Sequence, residues 1–207
     1  MDGSQPLKFE YDRGIPAGAA NDSGNGPDVR AARIETARLA LRRHTREEHK
    51  ATEAAFARFD IARADHYRAF LTAHAMALPR LERGLTCLGW RDWQPRFPCL
   101  ADDLAALGAS LPAPMIAPRI SPTAAWGVQY VLEGSRLGGK PLSQRVGADM
   151  PRRYLAPRSD IAARWQAFCA AIDHAIGMEM LDEVLDSAIE TFRSFRHCAE
   201  TMSEYLR

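Results

Sequence analysis

Apolar side chains recur every three or four residues through most of the chain, and no stretch alternates with a strand's period of two. From Asp28 the composition turns to Ala, Leu, Arg and Glu, which are good helix formers. A first helix is expected from an Asp28 N-cap to about Phe59. A second follows Asp65, with Tyr67, Phe70, Leu71, His74, Leu78 and Leu81 in phase. Pro79 should kink it or leave a carbonyl without its helical donor, and Gly84 and Gly89 mark its end. Trp90 to Pro122 contains six prolines and reads as loop around one short helix, Leu100 to Leu107, stopped by Gly108. Pro122 opens another helix through Trp126 and Tyr130. Two more are expected near Ser159 to Ile176 and Glu179 to Met202. The pattern is that of a single all-α domain of roughly six or seven helices.

Residues 1–28 differ. They hold five of the 14 glycines and three of the 13 prolines, without an apolar period. A flexible arm over 1–28 and a helical domain over 29–207 are therefore expected. The 207 residues carry 27 Lys+Arg against 26 Asp+Glu, a net charge of +1. A nucleic-acid binder relying on a dominant basic field is disfavoured. No run approaches the ~18 apolar residues of a membrane span, and the amino terminus lacks the order of a signal peptide. Cys87, Cys99, Cys169 and Cys198 form no C-x-x-C pair, so reduced thiols in a cytoplasmic protein are expected.

Two constellations carry chemistry. The first lies within Leu41-Arg42-Arg43-His44-Thr45-Arg46-Glu47-Glu48-His49-Lys50-Ala51-Thr52-Glu53. On a helix Glu53 is one turn from His49 and can orient its imidazole as a metal ligand. Arg42 is ~20° away in azimuth and ~10 Å along the axis, where it could meet the acidic edge of a flat cofactor. A histidine on a solvated or packed face explains the same residues, and Arg42 could pair with Glu35 or Glu47 instead. The second constellation is Tyr130-Val131-Leu132-Glu133-Gly134-Ser135-Arg136-Leu137-Gly138-Gly139-Lys140-Pro141. Three glycines in a helix interior would cost about 3 kcal/mol. Either they let the backbone approach a flat ligand through a kink, or Gly138-Gly139 with Pro141 ends the helix. A close helix crossing is a third explanation. A G-x-G-x-x-G phosphate loop does not fit, because the spacing differs and no strand precedes it.

These segments together resemble the heme oxygenase family, specifically its bacterial, biliverdin-forming branch associated with bacteriophytochromes. The likeness rests on Leu41-Arg42-x-x-Thr45-x-x-x-His49-x-x-x-Glu53, Tyr67-Arg68-x-Phe70-Leu71 and Trp93. It continues in Leu100-x-x-Asp103-Leu104-x-x-Leu107-Gly108, Tyr130-Val131-Leu132-Glu133-Gly134-Ser135-x-Leu137-Gly138-Gly139, Trp165-x-x-Phe168 and Thr191-Phe192. It spans about residues 30–203. The resemblance implies an all-α fold with heme between a proximal and a distal helix. It implies His49 as iron ligand, Glu53 as its partner, and Arg42 on a propionate. Gly134, Ser135, Gly138 and Gly139 would form the distal kink, with Tyr130 on the same segment and Arg164 as a further propionate candidate.

The implied reaction opens heme with O2 and reductant to biliverdin, CO and ferrous iron. Heme is then both substrate and cofactor. A ferredoxin or other reductant is the implied electron donor, and a bacteriophytochrome could receive the product. Mammalian members have an aspartate where this chain has Ser135, which can join a hydrogen-bond chain but carries no charge. Pro141 is expected to stop the distal helix early. A non-catalytic heme or bilin carrier on the same fold is the alternative. A di-iron oxidase fits poorly, because no Glu lies three residues before any of the six histidines. A thiamine-type hydrolase would need a nucleophilic cysteine that the pattern does not place.

Overall fold

The computed structural model describes residues 35–113, 116–156 and 159–206. The proposed arm over 1–28 and the Asp28 N-cap lie outside the described residues. Among those residues there are eight α-helices and no strand. They are α1 (Ala37–His44), α2 (Arg46–Phe56), α3 (Ala64–Gly84), α4 (Phe97–Ala106), α5 (Ala124–Ser135), α6 (Gly139–Arg145), α7 (Ile161–Ala175) and α8 (Leu181–Glu204). A 3-10 turn, Arg136–Gly138, joins α5 to α6, and another, Met178–Met180, leads into α8.

The long first helix is divided. Thr36 caps α1, and the chain bends at Thr45, where α2 begins. The buried Thr45 hydroxyl donates to the Leu41 carbonyl at 2.8 Å, and the Thr45 N–H reaches the same oxygen at 2.9 Å. A hydroxyl folded back onto the preceding turn in this way bends a helix without breaking it. Pro79, by contrast, does not end α3. The apolar face formed by Tyr67, Phe70, Leu71, Leu78 and Leu81 stays buried on both sides of it. That packing outweighs the lost hydrogen bond. The short helix starts three residues earlier than expected, at Phe97, and Gly108 at φ +65° follows it.

The interior forms two apolar clusters. One joins Phe56 and Phe59 to α3, to Leu100 and Leu104 of α4, and to Phe195, Cys198 and Ala199 of α8. The other joins Leu41, Tyr130 and Val131 to Phe168 and Ile172 of α7 and to Val184, Ala188 and Phe192 of α8. With 24 residues, α8 is about 36 Å long and runs through both. Buried polar side chains tie the loops to this frame. Glu82 of α3 accepts the Arg96 and Phe97 N–H groups at 2.6 and 3.1 Å, capping α4 from outside its own sequence. Asp103 accepts from the Arg153 and Tyr154 N–H groups at 3.0 and 2.8 Å. Gln129 grips the loop before α4, accepting from Trp90 N–H and donating to the Leu88 carbonyl. Gly89 sits at φ +68° against the Gln129 amide, where any Cβ would collide.

Helix α5 packs tightly on α8 at Gly127. A Cβ there would overlap the Val184 carbonyl and the Ser187 hydroxyl. Gly127→Val should therefore force the two helices apart at a cost of about 1–3 kcal/mol. Thermal unfolding should show a Tm lower by roughly 2–12 °C for a domain of this size. An unchanged Tm would mean that the crossing is not close-packed.

Candidate active site

A cleft opens between α2 and the α5–α6 segment. Its inner chamber encloses about 80 Å³ and is lined by His49, Thr52, Glu53 and Phe56 of α2, and by Phe70 and His74 of α3. Val131, Ser135 and Leu142 form the opposite wall, and Arg96, Tyr154, Leu155, Phe192 and Phe195 complete it. The outer recess, about 640 Å³, shares His49, Glu53 and Phe192 and adds Tyr130, Thr45 and Leu39. Its rim carries Arg42, Arg43, Arg46 and Lys50.

His49 Nε2 lies 3.6 Å from Glu53 Oε1, one helical turn away as the spacing predicts. The ring meets Phe192 edge-on at 5.4 Å. Burial pushes the His49 imidazole below its ordinary pKa, so it is neutral at pH 7 and has a lone pair to give a metal. Helix α2 is held in place from behind. The Thr52 hydroxyl reaches the Phe192 carbonyl at 3.2 Å, and Glu48 pairs with Arg193 and Arg196 at 2.9 and 2.7 Å. Arg42 is exposed at the rim, and its charge acts on Tyr130. Glu35 pairs with Arg43 and Glu47 with Lys50, at 2.8 and 3.0 Å.

On the opposite wall, Gly134 is buried in the last turn of α5 and Gly138 at the end of the 3-10 turn. Ser135 lines the chamber and donates to the Leu132 carbonyl at 2.8 Å. Gly139 begins α6, and a Cβ on it would press on the Leu155 carbonyl at 3.1 Å, so its smallness serves packing against residues 154–155. Pro141 falls in the first turn of α6, where a missing N–H costs nothing, and does not stop the segment. The glycine run is thus a change of helical pitch inside a continuing wall.

Arg164 lies elsewhere. It lines neither chamber, donates to the Asp92 carbonyl at 2.8 Å, and stacks 5.0 Å over Trp90.

Three lining residues were not singled out by motif. Arg96 reaches in from the start of α4, donates to Ser135 Oγ at 2.6 Å, and lies 4.9 Å over the Tyr154 ring. His74 is packed among Phe56, Phe70, Tyr154 and Phe195. Burial pushes its imidazole down to about 3. In the neutral ring Nδ1–H donates to the Phe70 carbonyl at 2.9 Å, leaving Nε2 as an acceptor. A histidine in phase with the apolar stripe of α3 was the available signal. Tyr154 and Arg96 had none, because both arrive from loops.

Among the described residues no group of three or more His, Cys, Asp or Glu side chains could hold a metal ion. A di-iron centre has no site there. One neutral histidine suits a metal whose other ligands come with a planar macrocycle. A mainly aromatic interior and a rim carrying Arg42, Arg43, Arg46 and Lys50 suit the two faces of such a molecule, apolar ring and acidic edge. The architecture is that of the heme oxygenase fold.

No protein-family model matches the chain. The heme oxygenase of Xanthomonas campestris pv. campestris (strain 8004) is 30% identical over 125 residues, which cover 55% of this chain and 75% of that protein. The crystal structure of the NO- and CO-bound heme oxygenase from Neisseria meningitidis aligns with a TM-score of 0.70 at 19% identity, over 82% of this chain and 92% of that one. The chain belongs to the heme oxygenase family, and its reaction is oxidative heme degradation.

His74 makes the site sensitive to acid. Its folded pKa of about 3 lies below the ordinary 6.5. Its stability contribution is complete above about pH 6.5 and is lost as pH falls toward 3. For hemin-free protein, His74→Gln should flatten the acid limb of stability by about 1.4 kcal/mol per pH unit between roughly pH 4 and 6. Urea unfolding at several pH values in that window measures the slope. The same slope in both proteins would show that His74 is not buried neutral.

Proposed function

We propose that heme lies in this cleft with its iron on His49, its acidic edge toward Arg42 and its opposite face against the α5–α6 wall. The neutral imidazole beside Glu53, at the junction of an aromatic chamber and a basic rim, carries this reading. Bound heme supplies both the iron at which O2 is reduced and the ring that is opened, to biliverdin, CO and ferrous iron. Glu53 orients the His49 ring and keeps it a good donor. The rim cations at Arg42, Arg43, Arg46 and Lys50 neutralise the propionates and set which edge of the ring points outward. Phe56, Phe70, Phe192 and Phe195 exclude water from the inner chamber. Ser135 and Arg96 bring hydrogen-bonding capacity to the wall opposite His49, where bound water can be ordered. Gly134 and Gly138 keep that wall thin enough for the ring to lie against backbone.

The electron donor is a ferredoxin or comparable reductant in the cytoplasm, and the biliverdin serves a bacteriophytochrome. Both assignments rest on the sequence likeness to the bacterial branch. No described helix is long and apolar enough to cross a membrane.

Hemin added to the protein should give a Soret band, and reductant with air should replace it with bilin absorption in the red. A stable Soret band under those conditions would indicate a carrier. His49→Ala should abolish the histidine-ligated spectrum and turnover, and added imidazole should partly restore both. An unchanged spectrum would move the ligand elsewhere.

Arg42→Ala should weaken hemin binding by roughly fivefold, about 1 kcal/mol for a rim ion pair, or alter the mixture of biliverdin isomers. Identical affinity and isomer mixture would remove Arg42 from the propionate site.

A further inference from the structure

Behind the distal wall lies a charge cluster that the reaction outlined above does not use. Glu133, in the last turn of α5, has a side chain only 1% exposed. Its Oε1 accepts from Arg136 Nε at 3.0 Å, and Arg164 comes within 3.9 Å of Oε2. The two guanidinium side chains are 10% and 13% exposed. Each arginine also reaches the loop before α4: Arg136 donates to the Gln94 carbonyl and Arg164 to the Asp92 carbonyl. Arg96, at the end of that loop, donates back to Ser135 Oγ. Arg136 and Arg164 thus lace one loop to one turn around the buried Glu133 carboxylate, and Arg96 ties the end of the same loop to Ser135.

A buried ion cluster is a poor source of net stability, because desolvation offsets the attraction. It is a good source of geometry, since each charge tolerates only a narrow set of partner positions. The geometry at stake is that of the 3-10 turn, Arg136–Gly138. Arg136 is the first residue of that turn, Glu133 lies three residues before it, and Ser135 between them lines the chamber. Without the clamp, α5 could continue as ordinary α-helix or fray at its glycines, and Ser135 would move relative to the chamber.

We propose that Glu133, Arg136 and Arg164 are positioning residues that lock the pitch change in the distal wall. They thereby set how Ser135 and the wall backbone sit over the substrate ring and which ring carbon is opened. None of the three touches the substrate. The proposal rests on the heme oxygenase reading of the cleft, but its first test does not.

In protein without hemin, Glu133→Gln keeps the shape and removes the charge. Hydrogen exchange of the amides of residues 135–139 should speed up by about tenfold or more, while α3 and α8 amides stay unchanged. With hemin, the proportions of biliverdin isomers should shift while hemin affinity stays within about threefold of the parent. Arg136→Lys, which keeps the charge but not the fork, should give an intermediate result in both assays. If Glu133→Gln does not fold, Arg164→Gln, on the more exposed arm of the clamp, is tested in the same way and should move both readouts in the same direction. Unaltered exchange together with an unaltered isomer mixture would overturn the proposal. Failure of the parent protein to form any bilin would count against the heme oxygenase reading, and the exchange experiment would still decide the clamp.

Discussion

The width of the cleft depends on α8. Both walls rest on this one helix: α5 meets it at Gly127, against the Val184 carbonyl and the Ser187 hydroxyl, and α2 is fastened to it through Thr52, Glu48 and Phe192. The distance between His49 and Ser135 is therefore set by two attachments to a common rod about 36 Å long. A flat substrate needs two parallel surfaces at fixed separation. Mounting both on one helix provides that more directly than a bundle in which each wall packed only on its own neighbours. The apolar clusters at either end of α8 then keep the rod from tilting.

Charge is distributed around this frame in a consistent order. The chamber interior holds imidazoles that burial keeps neutral, His49 and His74. Cations gather at the mouth, where water and an acidic ligand edge can both reach them. Carboxylates withdrawn from water sit behind the walls and satisfy backbone or arginine donors: Glu82 for α4, Asp103 for residues 153–154 and Glu133 for the distal turn. Each of these acids brings a loop to the chamber that would otherwise be free to leave it. Arg96 and Tyr154 reach the site by that route.

The helices were legible from local pattern because helix formation is mostly local. Ala, Leu, Arg and Glu at a 3.6-residue period specify α3, α7 and α8 within a few residues, and Gly108 marks the end of α4. The pairing of His49 with Glu53 was also legible, since four residues on a helix determine neighbourhood without reference to the rest of the fold. The bend at Thr45 was less so. It depends on a hydroxyl being buried against Leu41, and burial is not a local property.

The sequence by itself thus determined the helical class, the imidazole–carboxylate pair, the family likeness and a glycine-rich distal segment. Tertiary structure decided what that segment is: a pitch change in a continuous wall, with Gly139 serving Leu155 and Pro141 starting a helix. It also decided that Arg42 stays at the cleft while Arg164 turns away to Trp90 and Glu133. Glu82 meets Arg96 across 14 residues, Asp103 meets Tyr154 across 51, and Arg164 lies 31 positions from Glu133. Contacts over such separations follow from how helices cross, and helix crossings are chosen by the whole set of buried surfaces at once.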